Sequence, residues 1–465
     1  MFASNNNQEL KVAVVGAGPA GLLLSHLLLQ QENIQVSVLE SRSDPRRLDK
    51  EERAYALGLG MRGRTAIRQV DEDLWQKVKK QGFESERFQL HVGGLVIPLR
   101  SEKDTSQQRE ERLEPSLLIF QSSICAALTE ELDHRHGSSK NLKLAFDQKV
   151  DTCDLQSMQI TAKDDDGKMT PMGPFDLIIG CDGVNSVVRK AMQESFPAFQ
   201  TKKDRLPGEF KVVKLENAPP KVDPTAVSLV LPKKGATTAF VEPTGKDVCV
   251  LFAGKGGGTL LAETSNKTAV VEALQEGFPQ WQDSHETIAT QLMAQKVPGV
   301  ASSVTCNTYH YQGKAVLAGD SAHATGGVSG QGANSALMDS VVLAECILNK
   351  RENLQQALLD YSKRQVPEGK ALYDLSFGPN PTGFKGLQWK LMGARDTLFR
   401  GRFGIGRPPL QTRLTTVLTS FSEIRRDCDQ FYDESFPTEG ALHERLSKLD
   451  EQSSKSGRAG VASSS

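Results

Sequence analysis

No stretch of this 465-residue chain reaches the run of about 18 apolar residues that crosses a bilayer as a helix, so no membrane-spanning segment is expected. An excess of either charge is missing too. The 56 Lys and Arg residues face 57 Asp and Glu, and so even a balance supplies no bulk field to draw in nucleic acid or an anionic surface. Cysteine is sparse: Cys125, Cys153, Cys181, Cys249, Cys306, Cys346 and Cys428 lie far apart, with no CxxC. An odd number at that spacing argues against a disulfide framework and for small buried side chains. The eight histidines are dispersed, without HExxH or a His/Cys cluster, so no metal site is expected. Neither GxSxG nor a Cys/His pair marks a protein nucleophile. Met1 to Gln8 is polar and Asn-rich, without the basic and apolar regions of a signal peptide, which leaves the cytoplasm as the default compartment.

What is present begins with Lys11 to Glu40. Val12-Ala13-Val14-Val15 is an apolar run without alternation, as a strand buried on both faces requires. It leads into Gly16-Ala17-Gly18-Pro19-Ala20-Gly21 and then the apolar run of a helix from Leu22 to Leu29. This is GxGxxG in the order strand, turn, helix. The first glycine permits the turn, the second lets a pyrophosphate approach the backbone, and the third lets helix and strand pack closely. Ile34 to Leu39 supplies a second strand, and Glu40 closes it where a carboxylate accepts hydrogen bonds from a ribose. An acid at that place favours an unphosphorylated ribose, as in FAD or NAD.

Two further strand ends carry the same kind of chemistry. Phe175 to Gly180 runs into Cys181-Asp182-Gly183-Val184-Asn185-Ser186-Val187-Val188-Arg189, and Ala315 to Ala318 runs into Gly319-Asp320-Ser321-Ala322-His323. The second continues through Gly326-Gly327-Val328-Ser329-Gly330-Gln331-Gly332-Ala333-Asn334 into a helix reaching Leu348. Amides from Gly330 to Gly332 at a helix start suit a partial negative charge. His323 alone reads as a packing or capping residue.

Between these motifs, Arg53 to Gly63 is rich in small residues that suit close backbone approach, with Arg53 and Arg62 available to anionic groups. A helix is expected over Leu74 to Lys80, a hairpin over Phe88 to Leu99 turning at Gly93-Gly94, an exposed loop over Ser101 to Glu114, and a helix from Pro115 to Leu132. Short strands follow between Leu142 and Ala162. Val227 to Leu231, Thr237 to Val241 and Val248 to Phe252 have the spacing of an antiparallel meander, followed by helices over Thr268 to Phe278 and Thr287 to Ala294. Gln355 to Leu375 reads as helix interrupted at Pro367, and Leu414 to Phe421 as another. Lys385 to Arg407 mixes basic and apolar residues; a solvated helical face is the first reading and peripheral membrane contact the second. Ser453 to Ser465 is Ser/Gly-rich and expected to be disordered.

Together, GAGPAG with Glu40, CDGVNSVVR and GDSAHATGGVSGQGAN resemble the class A FAD-dependent aromatic hydroxylases, over nearly the whole ordered chain. Within that class, RAYALGLGMRG, Asp339 behind GQGAN, and Arg364 to Ser376 are similar to the kynurenine 3-monooxygenase-like proteins. The resemblance implies an α/β fold of the p-hydroxybenzoate hydroxylase type, a Rossmann-type FAD-binding domain with an inserted β-rich substrate domain and a C-terminal helical region. The expected segments are 1–70, 114–190 and 305–350 for FAD binding, 71–113 and 191–304 for the substrate domain, 351–452 for the helical region and 453–465 for the tail.

The resemblance also implies roles. Gly16, Gly18, Pro19, Ala20 and Gly21 would cradle the FAD pyrophosphate, Glu40 would hold the adenosine ribose, and Arg53 and Gln121 would contact the cofactor. Asp182 and Gly183 would flank the pyrophosphate and the path of NADH or NADPH, a transient reductant without a domain of its own. Gly319 and Asp320 would reach the ribityl chain, and Gly330, Gln331, Gly332 and Asn334 the pyrimidine side of the flavin. Arg87, Gly327 and Val328 are the substrate-pocket candidates. Kynurenine hydroxylases carry Pro-Phe-Phe where this chain has Gly327-Val328-Ser329, which removes aromatic walls from the pocket. The implied reaction takes O2 and a small aromatic or conjugated molecule through a flavin C4a-hydroperoxide. An epoxidase or quinone-pathway hydroxylase, and a non-enzymatic carrier of the GDP-dissociation-inhibitor type, stay open as alternatives.

Overall fold

The structure, a computed structural model, describes residues 9–47, 55–100, 115–245, 247–254, 258–262, 266–379, 381–382, 385–389, 391 and 410–462. Arg53, the loop expected over Ser101 to Glu114 and most of the basic stretch from Lys385 to Arg407 lie outside these residues. Among them no helix is long and apolar enough to cross a membrane.

Four sheets order the described residues. The first contains β1 (Leu10–Val15), β2 (Ile34–Leu39), β8 (Leu142–Ala145), β12 (Leu177–Gly180), β18 (His310–Tyr311) and β19 (Ala315–Leu317), in the order β18-β19-β12-β1-β2-β8. All neighbours are parallel except β18 and β19. Val12, Ala13, Val14, Ile178 and Ile179 are fully buried, so the sheet is covered on both faces. From β1 the chain moves to β2 on one side, while β12 pairs on the other, which opens a crevice at the carboxyl ends of the strands. Helices α1 (Pro19–Leu28), α2 (Met61–Arg68), α3 (Glu72–Lys79), α4 (Gln121–His136), α5 (Val187–Ser195) and α8 (Gly332–Asn349) belong to this body, and most of them bury apolar side chains in its core.

The second sheet has eight strands: β5 (Arg87–Val92), β6 (Leu95–Arg100), β13 (Thr201–Leu215), β14 (Ala226–Val230), β15 (Thr238–Pro243), β16 (Val248–Gly254), β17 (Gly299–Cys306) and β20 (Ala324–Thr325). Their order is β20-β17-β13-β16-β15-β14-β5-β6. One face packs on α6 (Lys267–Gly277) and α7 (His285–Ala294), burying Val213, Val241, Val250, Phe252, Phe278 and Trp281. A three-stranded sheet of β3 (Ala56–Leu59), β4 (Phe83–Ser85) and β7 (Ser116–Phe120) links the two bodies, and β9 (Lys149–Asp154), β10 (Gln159–Lys163) and β11 (Met169–Met172) form a peripheral one. The C-terminal region comprises α9 (Leu354–Phe377), α10 (Leu410–Thr416), α11 (Phe421–Asp427) and α12 (Glu439–Ala462), with a small core of Leu372, Leu375, Leu414, Phe421 and Ile424.

Several expectations change. Ser116 to Phe120 is a strand, not the start of a helix, because Leu117 to Ile119 are buried between β3 and β4. The described part of the 71–113 segment divides: α3 packs Leu74, Trp75 and Val78 into the first core, while the hairpin from Arg87 joins the large sheet. The 305–350 segment gives β20 to that same sheet. Pro367 does not interrupt α9, which runs through it. The helix expected over Leu414 to Phe421 is broken between Thr416 and Phe421. Residues 453–462 are helical, as part of α12, where disorder was expected, and buried Ser453 accepts a hydrogen bond on its carbonyl from Gln312 at 2.8 Å.

Candidate functional site

Three strand ends meet at the crevice, and the chain's own close contacts define it. Gly16 has φ +103°, and a Cβ placed there would lie 2.4 Å from the Cys181 carbonyl oxygen, so only glycine lets the ends of β1 and β12 touch. A Cβ on Gly21 would lie 2.1 Å from the Gly16 carbonyl, which is the close helix and strand packing the motif requires. Gly18 differs: nothing lies within 4 Å of its Cβ position. It caps α1 with no side chain accepting its first N–H groups, leaving the positive helix end for an anion. Pro19 and Ala20 open the helix itself.

Glu40, at the end of β2, is buried and tightly held. Its carboxylate accepts from the Ala17 N–H at 2.8 Å, the Arg42 N–H at 2.9 Å and the Arg42 guanidinium at 3.0 Å. Burial alone would raise its pKa, but the hydrogen bonds and charge of Arg42 outweigh that and hold it below the ordinary carboxylate range. Arg42 had no role in the sequence reading, although an arginine two residues past the acid was the available sign. Gln121 starts α4 and donates its N–H to the Tyr55 carbonyl at 3.1 Å.

Asp182 accepts from the Val187 N–H at 2.6 Å through Oδ2, while its buried Oδ1 has no partner among the described residues. Burial raises its pKa. Gly183 follows with φ +71° and nothing near its Cβ position. Arg189, buried, donates to the Ser321 carbonyl at 2.8 Å and the Val184 carbonyl at 2.7 Å, and so ties the Asp182 loop to the Asp320 loop. Gly319 has φ +63°, with Ala336 2.9 Å and Ala20 3.8 Å from its Cβ position. Asp320 is open to solvent yet walled by protein on most sides, the situation of a group on a crevice floor, and that desolvation raises its pKa. Its charge also reaches the Tyr55 phenol, which burial first and Asp320 second push up to about 12.

Gly330, at φ +66°, precedes Gln331, the cap of α8, and Gly332 begins the helix with no capping side chain. A Cβ on Gly332 would lie 3.9 Å from Asp320, so Asp320 and the start of α8 face one space. Asn334 is spent on the protein: its carbonyl accepts from Gly60 at 2.9 Å and Gly63 at 3.2 Å, and its amide donates to Gly58 at 2.9 Å. It holds the Gly58 to Gly63 segment against the start of α8. Beneath the loop, buried Asp339 accepts from the Gly319 N–H at 2.9 Å and bonds His323 at 2.7 Å.

Arg62 and Arg87 stand elsewhere. The Arg62 guanidinium reaches the carbonyls of Leu414 and Thr419 and lies 3.9 Å over the Phe421 ring, anchoring the C-terminal helices. Arg87 is paired with Asp223 at 2.7 Å and Thr225 at 3.0 Å. Val328 is exposed, next to Gly327 at φ +80°.

The residues present fit a long dinucleotide: a bare glycine cradle, an acid at the ribose end, a second acid on the floor, and a helix start at the far end. The profile of the FAD binding domain family matches residues 9–376. A kynurenine 3-monooxygenase of Salinispora tropica is 28% identical over 380 residues, covering 80% of each chain. Two solved structures share the fold at 16% identity. A tetrameric form of 2-methyl-3-hydroxypyridine-5-carboxylic acid oxygenase has a TM-score of 0.63, with 92% of this chain and 100% of that one covered. PqsL of P. aeruginosa, in complex with 2-aminobenzoylacetate, has a TM-score of 0.61, with 79% and 94% covered. The chain belongs to the FAD binding domain family, as an FAD-dependent monooxygenase that takes NAD(P)H as reductant.

Proposed function

We propose that this monooxygenase inserts one oxygen atom of O2 into a small aromatic or conjugated molecule held between the crevice and the eight-stranded sheet. The observation that supports the reading is that β1, β12 and β19 are neighbours, so the loops bearing Gly18, Asp182 and Asp320 leave from adjacent strand ends. Bound FAD supplies the redox and oxygen chemistry. The chain supplies position and environment. Gly16, Gly18 and Gly21 with the start of α1 take the pyrophosphate, Glu40 the adenosine ribose, and Asp320 the ribityl hydroxyls. The uncapped start of α8, from Gln331 to Gly332, would offer its N–H groups to the pyrimidine edge of the ring. Half-buried apolar residues of the large sheet keep water from the reacting atoms.

Kynurenine is not the substrate this site favours. Arg87, the candidate grip for a carboxylate, is already held by Asp223, and Gly327-Val328-Ser329 brings no aromatic wall. The test is a screen of aromatic and conjugated compounds for acceleration of NAD(P)H oxidation by the yellow holo-protein, with product mass. A product heavier by one oxygen supports the proposal; holo-protein that consumes NAD(P)H and yields only peroxide with every compound counts against it.

A further inference from the structure

The large sheet has two faces. Along β15, Ala239 and Val241 are buried on the helix side, so Phe240 and Glu242 point to the opposite side. Cross-strand pairing extends that second face through Leu90, Leu229, Phe240, Leu251 and Val212, all half-buried and apolar. In the next register Glu242 pairs with Cys249, and Cys249 with Lys214.

This face looks toward the crevice. The backbone of Ala56 in β3 hydrogen-bonds the Cys249 sulfur, and Tyr55, one residue earlier, feels the charge of Asp320. The Lys214 ammonium lies 5.9 Å from the Phe120 ring of β7 and is paired with Asp247 at 3.0 Å. Glu242 therefore stands on the wall that covers the reacting end of the crevice. It makes no hydrogen bond or ion pair among the described residues, although the protein around it strips most of its water. Burial pushes its carboxyl up to about 7, with no positive group offsetting the cost. A carboxylate left in such a place is unfavourable unless a donor reaches it. The positive side chain that the register puts on this face, Lys214, is held by Asp247.

We propose that Glu242 is the specificity-determining residue of the substrate wall, and that it selects an aromatic substrate bearing a protonated amine. The inference rests on the monooxygenase reading for the location of the pocket and adds the substrate's charge. The ammonium donates to the Glu242 carboxylate while the ring lies against Phe240, Leu229 and Leu251, a charge-assisted contact inside an apolar frame.

The experiment is calorimetric titration of the holo-protein with a ring-matched series: tyramine (ammonium), para-ethylphenol (neutral) and para-hydroxyphenylpropionate (carboxylate). Tyramine is expected to bind about tenfold or more tighter than the neutral compound, and the carboxylate to bind weakest. Glu242→Gln, which keeps shape and removes charge, should erase the advantage of tyramine while the protein keeps its FAD. Preference for the carboxylate, no binding of any of the three, or an unchanged preference in Glu242→Gln overturns the proposal. The flavin spectrum of the same samples reports on the parent reading separately: protein that cannot be loaded with FAD sinks the monooxygenase, whatever the titrations show.

Discussion

Gly16 and Gly18 belong to one motif but do different work, and their alanine variants separate the two. At Gly16 the positive φ and the Cys181 carbonyl at 2.4 Å both oppose a side chain. Gly16→Ala should lose about 1–2 kcal/mol or more of stability in the apo-protein. At Gly18 the backbone is extended and the Cβ position open, so Gly18→Ala should leave the apo-protein's Tm unchanged and weaken FAD binding by about 1–3 kcal/mol. Paired thermal melts and flavin titrations decide it; equal loss of stability in both variants would contradict the division of labour. Asp320→Ala should likewise weaken FAD by about 1–3 kcal/mol, since a ribityl hydroxyl loses its acceptor. FAD affinity equal to wild type, measured by fluorescence quenching, would remove Asp320 from that role.

The His323 and Asp339 pair gives a pH dependence with a definite sign. Burial disfavours the imidazolium, but the charge of Asp339 and its hydrogen bond outweigh this, and the His323 pKa rises above its ordinary 6.5. The folded state therefore holds a proton that the unfolded chain releases near 6.5. This contribution to stability is complete below pH 6.5 and is lost as pH climbs through the raised value. In Asp339→Asn the gap in Tm from wild type should be widest below pH 6.5 and narrow as pH rises. A gap that does not vary with pH would show that the pair does not titrate in this way.

At the level of elements, α12 offers the sharpest test. Gln312 donates to the Ser453 carbonyl at 2.8 Å and Gln355 to the Ser454 hydroxyl at 2.8 Å, next to the buried contact of His310 with Asp450 at 3.1 Å. Removing residues 453–465 should cost about 1–3 kcal/mol in denaturant unfolding; a loose tail would cost nothing. The sequence hid this helix because Ser and Gly weaken local propensity, and its partners lie on β18 and α9, about a hundred residues or more away. Thr201–Leu215 was hidden for another reason: its first half exposes Lys202, Lys203 and Arg205, so no apolar alternation marks the longest strand. Ser116–Phe120 is too short for periodicity to separate strand from helix. By contrast, β1, β12 and β19 were legible because burial on both faces leaves unbroken apolar runs, each ended by a glycine or acid. Arg87 could be seen, but not its partner Asp223, which only folding brings near.

The molecule as a whole is two bodies sharing a seam, and function depends on their meeting. The first holds the cofactor cradle, and the motifs that build it are short and local, which is why they could be read directly. The second supplies the wall, made from strands as distant as Leu90 and Leu251. Nothing in local sequence announces which side of those strands is turned inward. The charge proposed for the substrate likewise depends on register, which sets Glu242 and Phe240 on the same side of β15.

One small element crosses the seam. Ala324 and Thr325 pair with Val304 and Ser303, so the segment between Asp320 and Gly330 is stitched to the edge of the large sheet. A guest pressed on that sheet would bear on the loop that carries Asp320 and Gly330. Loading the pocket is therefore expected to tighten the hold on the flavin, and FAD retention measured with and without a bound guest checks it.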